Sequence, residues 1–216
     1  MYRELLLGCG HSRERRLDPY RYVPELAPDN RWQSVTTVDN DRCCNPDLLM
    51  ELALMSWTVR GPTSAEQQTI LELTNLDVSG GQWRFQDNVF DEAHAYEILE
   101  HLGPLGNAYK FFFDFDELWR ILKPDGFLCA TCPSRESQWL WGDPGHSRCI
   151  LPVTLRFLHR PHYDIVVGRS PSSDYRNQFR SDWDIIYSDD TAEDRQTHKF
   201  VLRAVKPARA PAKGKR

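Results

Sequence analysis

The sequence predicts an α/β fold: a mostly parallel sheet that ends in a C-terminal antiparallel hairpin. Three observations carry this. Short apolar runs alternate with stretches of helical periodicity, the pattern of right-handed βαβ crossovers. The first run stops at a tight Gly8-Cys9-Gly10 turn. The last two runs have only a polar, acidic loop between them.

Each element follows from local composition. Arg3 to Leu7 is short and apolar and predicts a buried strand. Ser34 to Val38, rich in Thr and Val and followed by Asp39, predicts the second. Leu48 to Trp57 has apolar residues at helical spacing behind Pro46-Asp47 and reads as a helix. After the polar stretch Arg60 to Gln68, Ile70 to Val78 predicts a third strand, closed by Gly80-Gly81. Ala93 to Ile98 predicts a fourth, running into a short helix. In Ala108 to Lys123, the clearest helix, Phe111, Phe115, Leu118 and Leu122 form one stripe. Lys123-Pro124-Asp125-Gly126 then breaks it. Phe127 to Cys132 is the next strand, Pro133 to Arg180 is irregular, and Asp182 to Tyr187 and Lys199 to Val205 form the closing pair.

The 216 residues suit one domain over 1–205, with a candidate substrate lid at about 134–180. Residues 206–216 carry five basic side chains and no acidic one; they read as a disordered tail, a candidate for weak contact with nucleic acid. A net charge of −4 implies no broad nucleic-acid-binding field. Apolar runs of five residues or fewer exclude a spanning helix, which needs ~20, so no membrane is expected. The run before Cys9 lacks the basic region and length of a signal peptide, and the six cysteines show no disulfide framework. A cytoplasmic location is the expectation.

A strand running into Gly-x-Gly points to a nucleotide-like cofactor, because glycine admits close backbone approach and a following helix N-terminus favours an anion. Asp39, at the end of the second strand, can accept hydrogen bonds from ribose hydroxyls. Arg13 stands where a dinucleotide fingerprint needs its third glycine, which favours a cofactor without phosphates. Asp77 ends the third strand and is a candidate for an adenine amino group, with Glu51 and Glu72 as rivals.

With these stretches in order, the chain resembles the class I S-adenosylmethionine-dependent methyltransferases, whose fold is Rossmann-like. The resemblance rests on Leu5-Leu6-Leu7-Gly8-Cys9-Gly10, Val38-Asp39, Asn88 to Glu92, Ala95 to His101 and Trp119 to Gly126, and covers the first two-thirds of the chain. Trp141 to Arg148 is also similar to a group of short phage and bacterial methyltransferase-like proteins. The resemblance implies S-adenosyl-L-methionine as cofactor. Gly8, Cys9 and Gly10 would face its methionine portion, Asp39 its ribose, Asn40 and Asp77 its adenine, and Tyr96 and Glu97 its sulfonium. Two departures stand out: a long stretch from Cys43 to Gln68, and almost nothing ahead of the first strand to cover the site.

Methyl transfer asks chiefly for alignment and exclusion of water, and a base only where the acceptor starts protonated. Glu97, Glu100, His101 and His146 are the candidates. His101 also suits a plain helix end beside Gly103-Pro104. Trp139, Trp141, Asp143, His146 and Arg148 make the loop after the fifth strand a candidate lid, with Trp141, Asp143 and Arg148 reaching substrate. Asp174-Tyr175-Arg176 is a further candidate for its rim. Cys129 and Cys132 have metal-like spacing, but three residues apart on a strand they point to opposite faces. His159 and His162 frame a turn around Pro161. No metal site is expected. The acceptor, a small molecule, protein or nucleic acid, is open, although no Asp-Pro-Pro-Tyr or Pro-Cys motif of DNA base methylation is present. Two alternatives remain: a catalytically inert cofactor-binding protein of the same fold, and a nicotinamide dehydrogenase, which Arg13 disfavours.

Overall fold

The computed structural model describes residues 1–23, 31–53, 57–62, 74–77, 82–166, 169, 173–191 and 196–210; of residues 58–62, 74–77 and 82–83 it describes the backbone alone. One ten-stranded sheet organises the chain. Five strands run parallel at its centre: β1 (Glu4–Leu7), β2 (Val35–Asp39), β3 (Leu48–Glu51), β7 (Phe90–Tyr96) and β8 (Leu122–Pro133). The expected C-terminal hairpin is β9 (Trp183–Asp189) with β10 (Thr197–Ala204), and β10 pairs with β8. On the other side β4 (Thr58–Pro62), β5 (Thr74–Asp77) and β6 (Gln82–Phe85) extend the sheet antiparallel. The order β5-β6-β4-β3-β2-β1-β7-β8-β10-β9 puts β1 in the middle of a Rossmann-like core.

Two sequence readings change. Leu48–Glu51 is the third parallel strand, beside β2, and not the start of a helix. Leu48 and Met50 are fully buried and Leu49 nearly so, which removes the alternation that marks a half-exposed strand. The strand expected at Ile70 to Val78 survives as β5, at the far edge. The long stretch from Cys43 to Gln68 thus holds β3 and β4.

Side chains alternate between two faces. Leu5, Leu7, Val38, Ala93, Ala95, Leu128, Ala130 and Cys132 face α1 (Ala108–Ile121). Asn107 caps that helix by accepting the N–H of Lys110 (3.1 Å), and Phe111, Phe112, Phe115 and Leu118 fill the layer. The Lys123-Pro124-Asp125-Gly126 break lies at the start of β8; a Cβ on Gly126 would meet the Asp91 carbonyl at 2.9 Å. Cys129 and Cys132 do face opposite ways.

No α-helix follows the Gly8-Cys9-Gly10 turn among the described residues; residues 11–23 form a loop with one 3-10 turn (Pro19–Arg21). This loop covers the second face, where Leu6, Cys9, Leu17, Tyr96, Phe127, Cys129 and Val201 cluster. Between β8 and β9 the chain forms short helices, α2 (Trp139–Gly142), α3 (Pro152–Leu155) and α4 (Arg160–Val166). The His159 ring accepts the His162 N–H (3.1 Å) at the start of α4. Residues 206–210, expected in a disordered tail, pack against the domain. Lys206 donates to Asn88 (2.6 Å), and Arg209 pairs with Asp182 (2.7 Å) and Asp184 (2.9 Å). Residues 211–216 lie outside the described residues. No described helix is long and apolar enough to cross a membrane.

Candidate functional site

A cavity of about 110 Å³ opens at the carboxyl ends of β1, β2 and β3, where open α/β sheets bind ligands. Gly8, Asp39, Asn40, Glu51, Leu52, Ile98 and His101 are among its lining residues. Its volume is below the ~300–1,000 Å³ of ordinary ligand pockets, so a whole cofactor requires the groove to extend past these walls.

Asp39 orders the first turn. One carboxylate oxygen accepts the Gly10 N–H (2.9 Å) and the other the Asp41 N–H (2.9 Å). A carboxylate has about four lone-pair positions, so each oxygen can still accept from a ligand hydroxyl. Gly8 and Gly10 both have positive φ, +57° and +51°. Around Gly10 a Cβ would meet nothing within 4 Å, whereas on Gly8 it would lie 2.8 Å from the Ile98 side chain. Gly8 therefore serves the packing of Ile98 across the turn. Gly8→Ala is expected to cost about 1–3 kcal/mol through overpacking plus about 1–2 kcal/mol for a left-handed residue. Gly10→Ala should show only the latter. Thermal unfolding of the pair checks this; equal losses would remove Ile98 as the reason for Gly8.

Several expected site residues lie elsewhere. Cys9 points into the second-face cluster, where burial, with Asp39 adding to it, pushes its thiol up to about 11. Tyr96 shares that face. Its hydroxyl accepts the N–H groups of Arg16 and Leu17 (both 3.1 Å) and donates to Nδ1 of His94 (2.6 Å), so it anchors the loop and does not reach the cavity. Asp77 lies in β5, with β6, β4 and β3 between it and β2; Glu51 ends the strand beside β2 instead. Glu72 lies outside the described residues. Asp174 and Arg176 pair with each other (2.7 Å) in a separate cavity with Arg160 and Asp164.

The turn after β7 is built with more care than the sequence suggests. Glu97 has φ +54° and donates its N–H to Thr131 (2.9 Å). Strained non-glycine residues of this kind concentrate at functional sites. A 3-10 turn, Leu99–His101, follows. Glu100 is 1 % exposed, and neither of its carboxylate oxygens has a hydrogen-bond partner. Burial pushes its carboxyl up to about 8, with the charge of nearby Glu97 adding to the shift.

The loop after α2 is fastened to this turn. Ser147 donates its N–H (2.7 Å) and hydroxyl (2.9 Å) to the Glu100 carbonyl. Arg148 donates to the Leu102 carbonyl and lies over Phe111, so it holds the loop and faces away from the cavity. Asp143 accepts the Gly145 N–H (2.7 Å). His146 is thereby stacked edge-on to His101, ring centroids 4.5 Å apart. Trp141 is 68 % exposed and absent from the cavity lining. Of the expected catalytic residues, the fold brings His101 and His146 together, with Glu97 at the head of the same turn. Ser147, Gly145 and the Glu100 carbonyl do the positioning.

No family model matches the chain, and no curated protein matches it. It is similar in fold to several solved structures. One is an S-adenosylmethionine-dependent methyltransferase from Archaeoglobus fulgidus (14 % identity, 94 % of this chain and 86 % of that one, TM-score 0.44). Another is the N-methyltransferase NodS from Bradyrhizobium japonicum, in complex with S-adenosyl-L-homocysteine (13 % identity, 94 % and 78 %, TM-score 0.44). A third is the [4+2]-cyclase SpnF (16 % identity, 94 % and 75 %, TM-score 0.42).

Proposed function

We propose that this protein is a methyltransferase that binds S-adenosyl-L-methionine at the carboxyl edge of β1, β2 and β3 and transfers its methyl group to an acceptor held beside the Glu97–His101 turn. The observation that carries this is the Gly10–Asp39 pair. The carboxylate orders the turn while keeping acceptor capacity toward the cavity. Asn40 flanks it, and Glu51 takes the place foreseen for Asp77 at the adenine edge. The bound cofactor would supply an activated methyl group. The chain's part is to align the acceptor and exclude water.

One feature favours the inert alternative. Without a helix after Gly10 among the described residues, no helix N-terminus receives the methionine carboxylate. Two measurements separate the readings. Calorimetry should find S-adenosylmethionine and S-adenosylhomocysteine bound and NAD not bound; failure of both methionine-derived ligands would end the cofactor reading. Asp39→Ala should weaken that binding about tenfold or more, two hydrogen bonds to a charged group being worth at least ~1.4 kcal/mol. A labelled-methyl assay over DNA, RNA, protein and small-molecule pools then divides enzyme from binder.

A further inference from the structure

The Glu100 carboxylate raises a physical problem. It sits in the interior, neither oxygen has a hydrogen-bond partner of ordinary geometry, and the Cys132 thiol and Glu97 are its polar neighbours. Buried carboxylates are paired, protonated or metal-bound. The donor atoms of Glu100, His101 and His146 all lie within 4.8 Å of one another. Both rings are oriented from behind: His101 Nδ1 contacts the Gly145 carbonyl (3.3 Å) and His146 Nδ1 the Leu140 carbonyl (3.3 Å). A neutral ring that donates from Nδ1 presents its lone pair at Nε2. Such carbonyl partners are how metal-binding histidines are held. Gly145 makes room, since a Cβ there would come within 3.2 Å of the His101 ring.

We propose that Glu100, His101 and His146 form a binding site for a divalent transition-metal ion at the edge of the cavity that His101 lines. Two imidazoles and one carboxylate favour zinc, cobalt or nickel over magnesium or calcium, which prefer all-oxygen sets. Three protein ligands leave at least one coordination position open. Glu97 and Asp143, whose carboxylate is 3.9 Å from His146 Nε2, add negative charge around the ion. A second cluster, Glu92, His94 and Cys129, has similar spacing but a different character. There Arg15 and Tyr2 already occupy the carboxylate, and His94 bonds at both nitrogens.

The test is a titration of the full-length, chelator-treated protein with Co²⁺ alone, followed by its visible d–d absorption. Cation binding needs no cofactor, so it stands or falls apart from the methyltransferase reading. One equivalent should bind, and Zn²⁺ should displace it. Glu100→Gln and His146→Ala should each weaken Co²⁺ binding at least tenfold, while His162→Ala, on α4, should leave it unchanged. Glu100→Gln keeps the size of the side chain and removes a ligand oxygen, so it keeps the test decisive if His146→Ala folds poorly. No absorption band, a band equally sensitive to His162→Ala, or a Glu100→Gln protein with unchanged Co²⁺ affinity would overturn the proposal.

Discussion

Arg15→Ala is expected to destabilise the protein by about 3–5 kcal/mol, the cost of removing one partner from a buried ion pair. Arg15 bridges Glu4 (2.5 Å) and Glu92 (2.6 Å), all three nearly or fully buried. Around them almost every polar group is satisfied. Glu4 accepts the N–H groups of Gln33 (2.7 Å) and Ser34 (3.0 Å) with its other oxygen. Glu92 also accepts from Tyr2, which accepts from Tyr20, and from His94 (2.8 Å). Burial works against Glu92's charge, but the hydrogen bonds from His94 and Tyr2 and the charge of Arg15 hold its carboxyl below the usual value. Burial holds His94 neutral, which fits one ring N–H donated to Glu92 and one lone pair facing Tyr96.

The pH dependence identifies the cause. In the parent, a depressed Glu92 contributes stability above its ordinary value of 4.5 that is lost as the pH falls below it. In Arg15→Ala Glu92 loses the cation that helps hold its carboxyl down, so protonation relieves it. The destabilisation should therefore be smaller at pH 5 than at pH 8 by urea unfolding. A loss independent of pH would mean that Arg15 acts through its packing alone.

Asp114→Ala should cost a similar 3–5 kcal/mol. Asp114 pairs with Lys110, one helical turn back on α1, and accepts the indole N–H of Trp57 (3.1 Å). Lys110 also donates to the Leu52 carbonyl (2.6 Å). Burial drives Asp114 up to about 6 and Lys110 down, so desolvation outweighs the attraction between them. Such a pair adds little net stability yet is costly to break. The double variant Lys110→Met, Asp114→Leu should accordingly recover most of the loss. Leu52 lines the cavity, so the single variant should also weaken binding of the proposed cofactor. If single and double variants unfolded alike, the unpaired ammonium would not be the source.

Much of this architecture is legible in the sequence, and the exceptions have physical reasons. The fifth strand and the closing pair read out because their apolar runs sit between breakers and polar loops. Leu48–Glu51 does not, because a strand buried on both faces has no alternation. Tyr96 shares strand parity with Glu92 and His94, so its direction away from the cavity is legible once two buried polar neighbours are noticed. Gly8 is recognisable as special, but its partner, Ile98, is ninety residues away in the chain and belongs to no pattern. His101 and His146 stand out as residue types; what unites them is Ser147 fastening one loop to another, which only the fold reveals.

The central position of β1 has a consequence for how the chain folds. Its register partners are Val35 to Val38 on one side and Glu92 to Ala95 on the other. Leu5, Leu6 and Leu7 must therefore wait for a strand that follows about ninety residues later before both their edges are closed. Non-local parallel pairing of this kind slows folding and leaves apolar edges open meanwhile. The segment that organises the finished sheet is thus the one most dependent on the rest of the chain being present, and the point where aggregation would compete first.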